Sequence, residues 1–157
     1  MNSPTMNSPT SSHAEQMLNF KYKGTSFAVG TGTASWSGTG QPVLYLGLLK
    51  AAPGFDGTGG NEVSGGNYSR KALATTNWNN ASTSNYVTTI TLSAALTFAT
   101  PSADWGTITH VGVFSASTSG NLLDVCELTT PTNVTSGNAP IIAAGDAGVV
   151  IRYGYLG

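Results

Sequence analysis

Charge is what this chain has least of. Six Lys and Arg and seven Asp and Glu among 157 residues make 8%, with a formal net charge of −1, against roughly a quarter in an ordinary soluble domain. There is no basic stripe to neutralise phosphates, so no nucleic-acid partner is expected. So weakly charged an exterior gives a freely diffusing monomer little protection from association. It suits a subunit whose surface is covered by neighbours. Cysteine is nearly missing too. Cys126 stands alone, which excludes an internal disulfide and a thiolate-rich metal site. Long apolar runs are lacking: nothing approaches the about 18 residues of a membrane span, and the N-terminus has neither a basic segment nor an apolar run of about 7–15 residues. No signal peptide and no membrane partner are expected.

The patterns of catalysis are missing as well. His13 and His110 belong to no ligand motif, and G-x-S-x-G does not occur. The clusters "VGTGTASWSG" and "GTGGNEVSGG" match neither phosphate-binding fingerprint. Among Asp56, Glu62, Asp104, Asp124 and Glu127, the last two are three apart on an expected strand and therefore on opposite faces. They cannot flank one bond as a glycosidase pair does. Asp104, beside Trp105 and Gly106, reads as a turn carboxylate that accepts from backbone amides. No catalytic residue, cofactor site or metal site is assigned, and the chain reads as non-enzymatic.

What the sequence has is Gly (20 residues) with abundant Thr, Ser and Asn, the residues of turns and strands. Its length fits one domain with a sizeable core. "VLYLGLLKAAPG" reads as a buried strand bounded by Pro and Gly, and Tyr68 to Ala74 as another. In "NYVTTITLSAALTFAT", Val87, Thr89 and Thr91 point one way and Tyr86, Thr88, Ile90 and Leu92 the other. "TITHVGVFSAS" places Ile108, His110, Gly112 and Phe114 on one face and Thr109, Val111 and Val113 on the other. It forms an antiparallel hairpin with "SGNLLDVCEL" over residues 107–115 and 121–128. Near the C-terminus, Val149, Ile151, Tyr153 and Tyr155 share one side. Seven to nine such strands predict an all-β fold, an antiparallel β-sandwich with a jelly roll as its variant.

One short helix is expected over 13–23. Ser12 and Glu15 have capping-box spacing, Ala14, Met17 and Leu18 share a face, Lys21 and Lys23 close the last turn, and Gly24 terminates it. A strand over 17–22 is the competing reading, since Leu18, Phe20 and Tyr22 alternate. Residues 1–12 precede the domain of 13–157 as an extended arm, in which "MNSPT" occurs twice and Pro4 and Pro9 favour open backbone. The plain alternative is a duplicated start, because Met6 and Met17 could each open a reading frame. Ordering ten such residues costs ~10 kcal/mol, which needs about 400 Å² of apolar burial to offset. The arm is therefore expected to lie along a neighbouring subunit, with Met1, Pro4, Met6 and Pro9 as its apolar contacts. The loop aromatics Trp36, Phe55 and Trp78 are candidate contacts for a sugar or a partner, against the reading that each lids the core.

The stretches "EVSGGNYSR", "ADWGTITHVGVF" and "SGNLL", in that order, resemble a family of small tailed-phage virion proteins labelled tail fibre or minor structural proteins. The likeness covers roughly residues 13–153. It implies a β-rich, non-enzymatic component of the virion, assembled in the host cytoplasm, and supplies no catalytic residues. The chain has no heptads and no repeated shaft motif. The expected function is therefore capsid decoration: a homo-oligomer, a trimer in the favoured form, that cements the head by bridging the major capsid protein or other virion proteins. The alternative is a tail-fibre or tail-tip adhesin for a host surface glycan.

Overall fold

The computed structural model describes residues 11–29, 32–34, 43–85 and 87–152. The expected arm contacts Met1, Pro4, Met6 and Pro9, together with Trp36, Tyr86, Tyr153 and Tyr155, lie outside these residues. Helix α1 (Ser11–Leu18) runs directly into a π-helical turn, Asn19–Lys23. The helical reading of this segment holds, and the strand over 17–22 does not form. Because the helix includes Ser11, Ser12 lies inside the first turn and cannot serve as its cap, so the expected capping box is absent. The buried stripe is Ala14, Leu18 and Tyr22, each four residues from the last, whereas Met17 falls off its edge and is exposed. Gly24 ends the helix in the left-handed region (φ 63°), its N–H turned back to the Asn19 and Phe20 carbonyls.

Eleven strands follow among the described residues: β1 (Phe27–Val29), β2 (Gly32–Ala34), β3 (Leu44–Leu49), β4 (Lys71–Leu73), β5 (Ser82–Ser84), β6 (Val87–Thr91), β7 (Leu96–Thr97), β8 (Gly106–Phe114), β9 (Leu122–Val134), β10 (Ile141–Ile142) and β11 (Gly148–Arg152). All pair antiparallel, in four sheets ordered β1-β2, β10-β7, β11-β6-β5 and β4-β3-β8-β9. The fold is thus mostly antiparallel β with one short N-terminal helix. Several strands are only two or three residues long, which is why their number exceeds the seven to nine expected from longer runs.

One core joins the larger sheets. Leu44, Leu46 and Leu48 of β3 and Val111 and Val113 of β8 meet Ile90 of β6, Leu92, and Leu18 and Tyr22 of the helical segment. The alternation expected in β6 is present, with Thr88 and Ile90 buried between half-exposed Val87, Thr89 and Thr91. In β8 it is corrected. Ile108 joins Val111 and Val113 in the core, because the pairing with β9 slips between Ile108 and His110. A bulge of this kind re-aims the side chains beyond it. The hairpin of β8 and β9 is as expected, although β9 continues to Val134.

Candidate functional site

The face of the four-stranded sheet turned away from the core is built on two glycines. Gly47 of β3 and Gly112 of β8 are direct cross-strand partners. A Cβ on Gly47 would stand 2.6 Å from Cε2 of Phe114, and one on Gly112 would stand 3.0 Å from that atom and 2.6 Å from Cδ1 of Leu122. The pair is a floor that only glycine can form, since close approach over a strand leaves no room for a side chain. Phe114 lies across it, and the Arg70 guanidinium carbon sits 3.5 Å from the ring centroid, a cation–π contact.

Arg70 also closes two loops. Its Nε and Nη2 donate to Glu62 Oε1 and Oε2 at 2.8 and 2.7 Å, a planar two-point pair. Its Nη1 donates to the Ala116 and Ser119 carbonyls at 2.7 and 2.6 Å. That second grip holds the β8–β9 turn, where Ser119 (φ 53°) is left-handed without being glycine. Glu62 Oε1 accepts a further bond from the Tyr68 hydroxyl at 2.8 Å, and the Tyr68 oxygen accepts from the Leu48 N–H at 2.9 Å. Burial, reinforced by Glu62, holds the Tyr68 phenol above its ordinary value, against the lowering effect of the Leu48 bond. The ring of Tyr68 meets Trp105 edge-on at 5.3 Å, and Trp105 Nε1 donates to the Gly66 carbonyl at 2.9 Å.

On the opposite face, β9 fastens the helical segment. Asp124 accepts from Lys21 Nζ at 2.6 Å and from the Tyr22 hydroxyl. The Tyr22 ring packs on Trp78, centroids 4.6 Å apart, and Asn19 Oδ1 accepts from the Ala81 N–H at 2.9 Å. Burial first, then the Asp124 charge, pushes the Tyr22 phenol well above its ordinary value. The helical segment, with whatever chain it carries ahead of it, is therefore pinned to the domain.

These contacts organise structure and engage four of the five carboxylates weighed from the sequence. Glu62 is engaged by Arg70 and Tyr68 and Asp124 by Lys21 and Tyr22. Asp104 accepts from the Ser136 N–H, and Asp56 from Thr58. Asp104 is thus the backbone-binding carboxylate expected, though its donor lies in a distant loop rather than in its own turn. Among the described residues no group of three or more His, Cys, Asp or Glu is placed to hold a metal, and no helix is long and apolar enough to cross a membrane.

The candidate aromatics part company. Trp78 is 2% exposed and belongs to the core, so as a contact residue it is corrected: the ring fills the space between the Tyr22 ring and the sheets. Trp105 is buried likewise. Phe55 is 116% exposed, more open than in an extended reference chain. Sequence reasoning missed Arg70, Phe114 and the paired glycines, although Arg70, Gly112 and Phe114 fall within the three stretches that carried the resemblance; Gly47 lies outside them, in β3. "EVSGGNYSR" supplies Glu62, Gly66, Tyr68 and Arg70, "ADWGTITHVGVF" supplies Trp105, Gly112 and Phe114, and "SGNLL" supplies Ser119 and Leu122. Over residues 10–150 the chain matches the family described as "Podophage GP4 fiber I protein gp80". No curated protein matches it.

Proposed function

The chain belongs to the podophage GP4 fiber I protein gp80 family, and on that premise we propose that it serves as an assembled fibre subunit rather than as capsid cement. As a member of a fibre family it is a non-enzymatic structural protein of the phage virion. The observation that carries the proposal is a contrast on one face of the domain. Every polar group of the Glu62–Arg70–Tyr68 network is engaged internally, while Phe55, Leu123 and Val125 beside it are left outside. A face whose charged groups are engaged with one another and whose exposed side chains include large apolar ones is suited to assembly. We read the three- and four-stranded sheets as the leaves of a sandwich around their common core, and the arm with Met1, Pro4, Met6 and Pro9 as a tether to a neighbouring virion subunit. With Phe55 given to assembly, glycan recognition at the host surface would fall to Trp36, since Trp78 and Trp105 are core residues.

Particles made without this chain test the reading. Fibre subunits predict intact, normally stable heads with fibre density lost and adsorption reduced. Heads that burst under heat or ionic stress while adsorption stays normal would return the protein to the capsid.

A further inference from the structure

Strand β9 leaves its partner part-way along. Glu127 pairs with His110 and Thr132 with Ile108, so the four residues 128–131 stand opposite the single residue Thr109. A wide insertion of this kind bends the strand and re-aims its side chains. Leu128 packs against the core and anchors the insertion, while Thr129, Thr130 and Pro131 are exposed. The Thr132 hydroxyl donates to the Thr130 carbonyl at 3.3 Å. The hydroxyls of Thr129 and Thr130 have no hydrogen-bond partner among the described residues.

Facing the insertion is the turn between β10 and β11. Gly145 N–H donates to the Leu92 carbonyl at 3.0 Å and Asp146 N–H to the Ala143 carbonyl at 3.2 Å. Gly145 has φ 84°, a left-handed conformation that glycine adopts without a steric cost. Asp146 is exposed, and its carboxylate is in no ion pair among the described residues. Ile141 of β10 is 61% exposed, whereas Ile142 beside it is buried. Between insertion and turn lies a groove of about 450 Å³, lined by Leu128, Thr129, Thr130, Thr132, Ile141 and Asp146 among others. A volume of that order suits a small ligand.

We propose that this groove binds a neutral saccharide unit, whose hydroxyls donate to Asp146 and exchange bonds with Thr129 and Thr130 while its C–H face lies on Ile141. The proposal rests on the reading of the protein as a fibre subunit, and it gives recognition of a host glycan a position on the described residues in addition to Trp36. The lining selects the class of ligand. A pyranose offers adjacent hydroxyls and an apolar face of C–H groups. A carboxylate can accept from two hydroxyls at once, and each threonine hydroxyl can both donate and accept. Asp146 is the only charged residue in the lining, so an acidic sugar would meet a like charge with no cation to offset it. An extended peptide fits the groove less well. Adding a strand to β9 needs a continuous edge of backbone donors and acceptors, but the insertion interrupts that edge and Pro131 withholds a donor. Both walls are held by the domain, through Leu128 on one side and the Gly145 and Asp146 amides on the other. Binding therefore orders little that is not already fixed.

Chemical-shift titration of the full chain tests this, with methyl α-mannoside, methyl α-glucoside and methyl α-rhamnoside as neutral probes, N-acetylneuraminic acid as the acidic one and tetralysine as a cationic peptide. At least one neutral glycoside should give saturable shifts centred on residues 128–132, 141 and 145–146. Asp146→Asn should weaken that binding roughly tenfold or more, because bonds to a charged acceptor are lost, and Thr130→Val roughly threefold. Met17→Ser, at an exposed site on the helix, should leave it unchanged, and every variant should keep the wild-type melting curve. No groove shifts with any neutral glycoside, binding indifferent to Asp146→Asn, an equal response to the acidic sugar, or a response to tetralysine alone would overturn the proposal. A fibre-borne protein that binds no glycoside loses only the groove assignment. Glycoside binding by a protein found over the capsid upholds the groove and overturns the fibre reading beneath it.

Discussion

Two halves of the segment between β3 and β4 treat their side chains in opposite ways. Residues 53–58 form a turn closed by its own hydrogen bonds that projects Phe55 into solvent. Residues 62–70 draw Glu62, Tyr68 and Arg70 into one network, with the Arg70 side chain only 9% exposed and that of Glu62 26%. Between them the chain runs back along β3, where Val63 N–H donates to the Leu48 carbonyl and Lys50 N–H to the Asn61 carbonyl. The second half is an anchorage and the first is what it holds in place. An exposed aromatic is useful to assembly only if its base does not move, and the segment beyond it is tied by the bonds of Glu62, Tyr68 and Arg70.

That division can be broken from either side. The largest effect is expected at Arg70. Arg70→Ala removes a buried guanidinium from Glu62, Phe114 and two carbonyls and leaves the carboxylate unpaired, a change that costs about 3–5 kcal/mol. Chemical denaturation should show the loss, and hydrogen exchange should show residues 115–121 opening with it. Gly47→Ala forces a methyl into the Phe114 ring and should destabilise by about 1–3 kcal/mol, measured by the same denaturation. Asp124→Ala, on the opposite face, leaves the buried Tyr22 hydroxyl without its acceptor, a loss of about 1–3 kcal/mol. Faster exchange confined to residues 11–23 would separate it from the first two.

The two buried phenols offer a pH test. Tyr22 and Tyr68 are both raised above the ordinary 10.0, so the folded state holds these protons more tightly than the unfolded one. Their contribution to stability is whole below pH 10.0 and is lost as pH climbs from there toward the folded values. Phenolate absorbance should therefore show both tyrosines silent in the native protein and appearing only with unfolding. Native titration of both near the ordinary value would contradict the burial. The smallest stability effect is expected at Phe55, where replacement by Ser should shift stability by no more than ~0.5 kcal/mol while assembly changes.

The parts of this structure that were legible in the sequence are those decided by neighbours along the chain. β3, β6, the β8–β9 hairpin and the helix ending at Gly24 follow from local alternation and turn chemistry. The slip after Ile108 was not legible, because it depends on how β9 pairs rather than on the composition of β8. Nor was the helix start, where Ser12 fits a cap by spacing yet lies one residue inside. The site was hidden for the same reason: Arg70 meets Phe114 and the Ser119 carbonyl, more than forty residues on, and nothing local to "NYSR" announces them. The three motif stretches were visible as a set, and the fold supplies the reason: they converge on one loop face. The aromatics taught the converse, since Trp78 and Phe55 both lie in turn-rich sequence, yet Trp78 is in the core and Phe55 in solvent.

The most direct test of the fibre assignment is gold labelling of intact virions with antibody fragments raised against the folded domain. Label on the fibres and none over the capsid faces is the predicted result. Label spread evenly across the capsid would contradict the account.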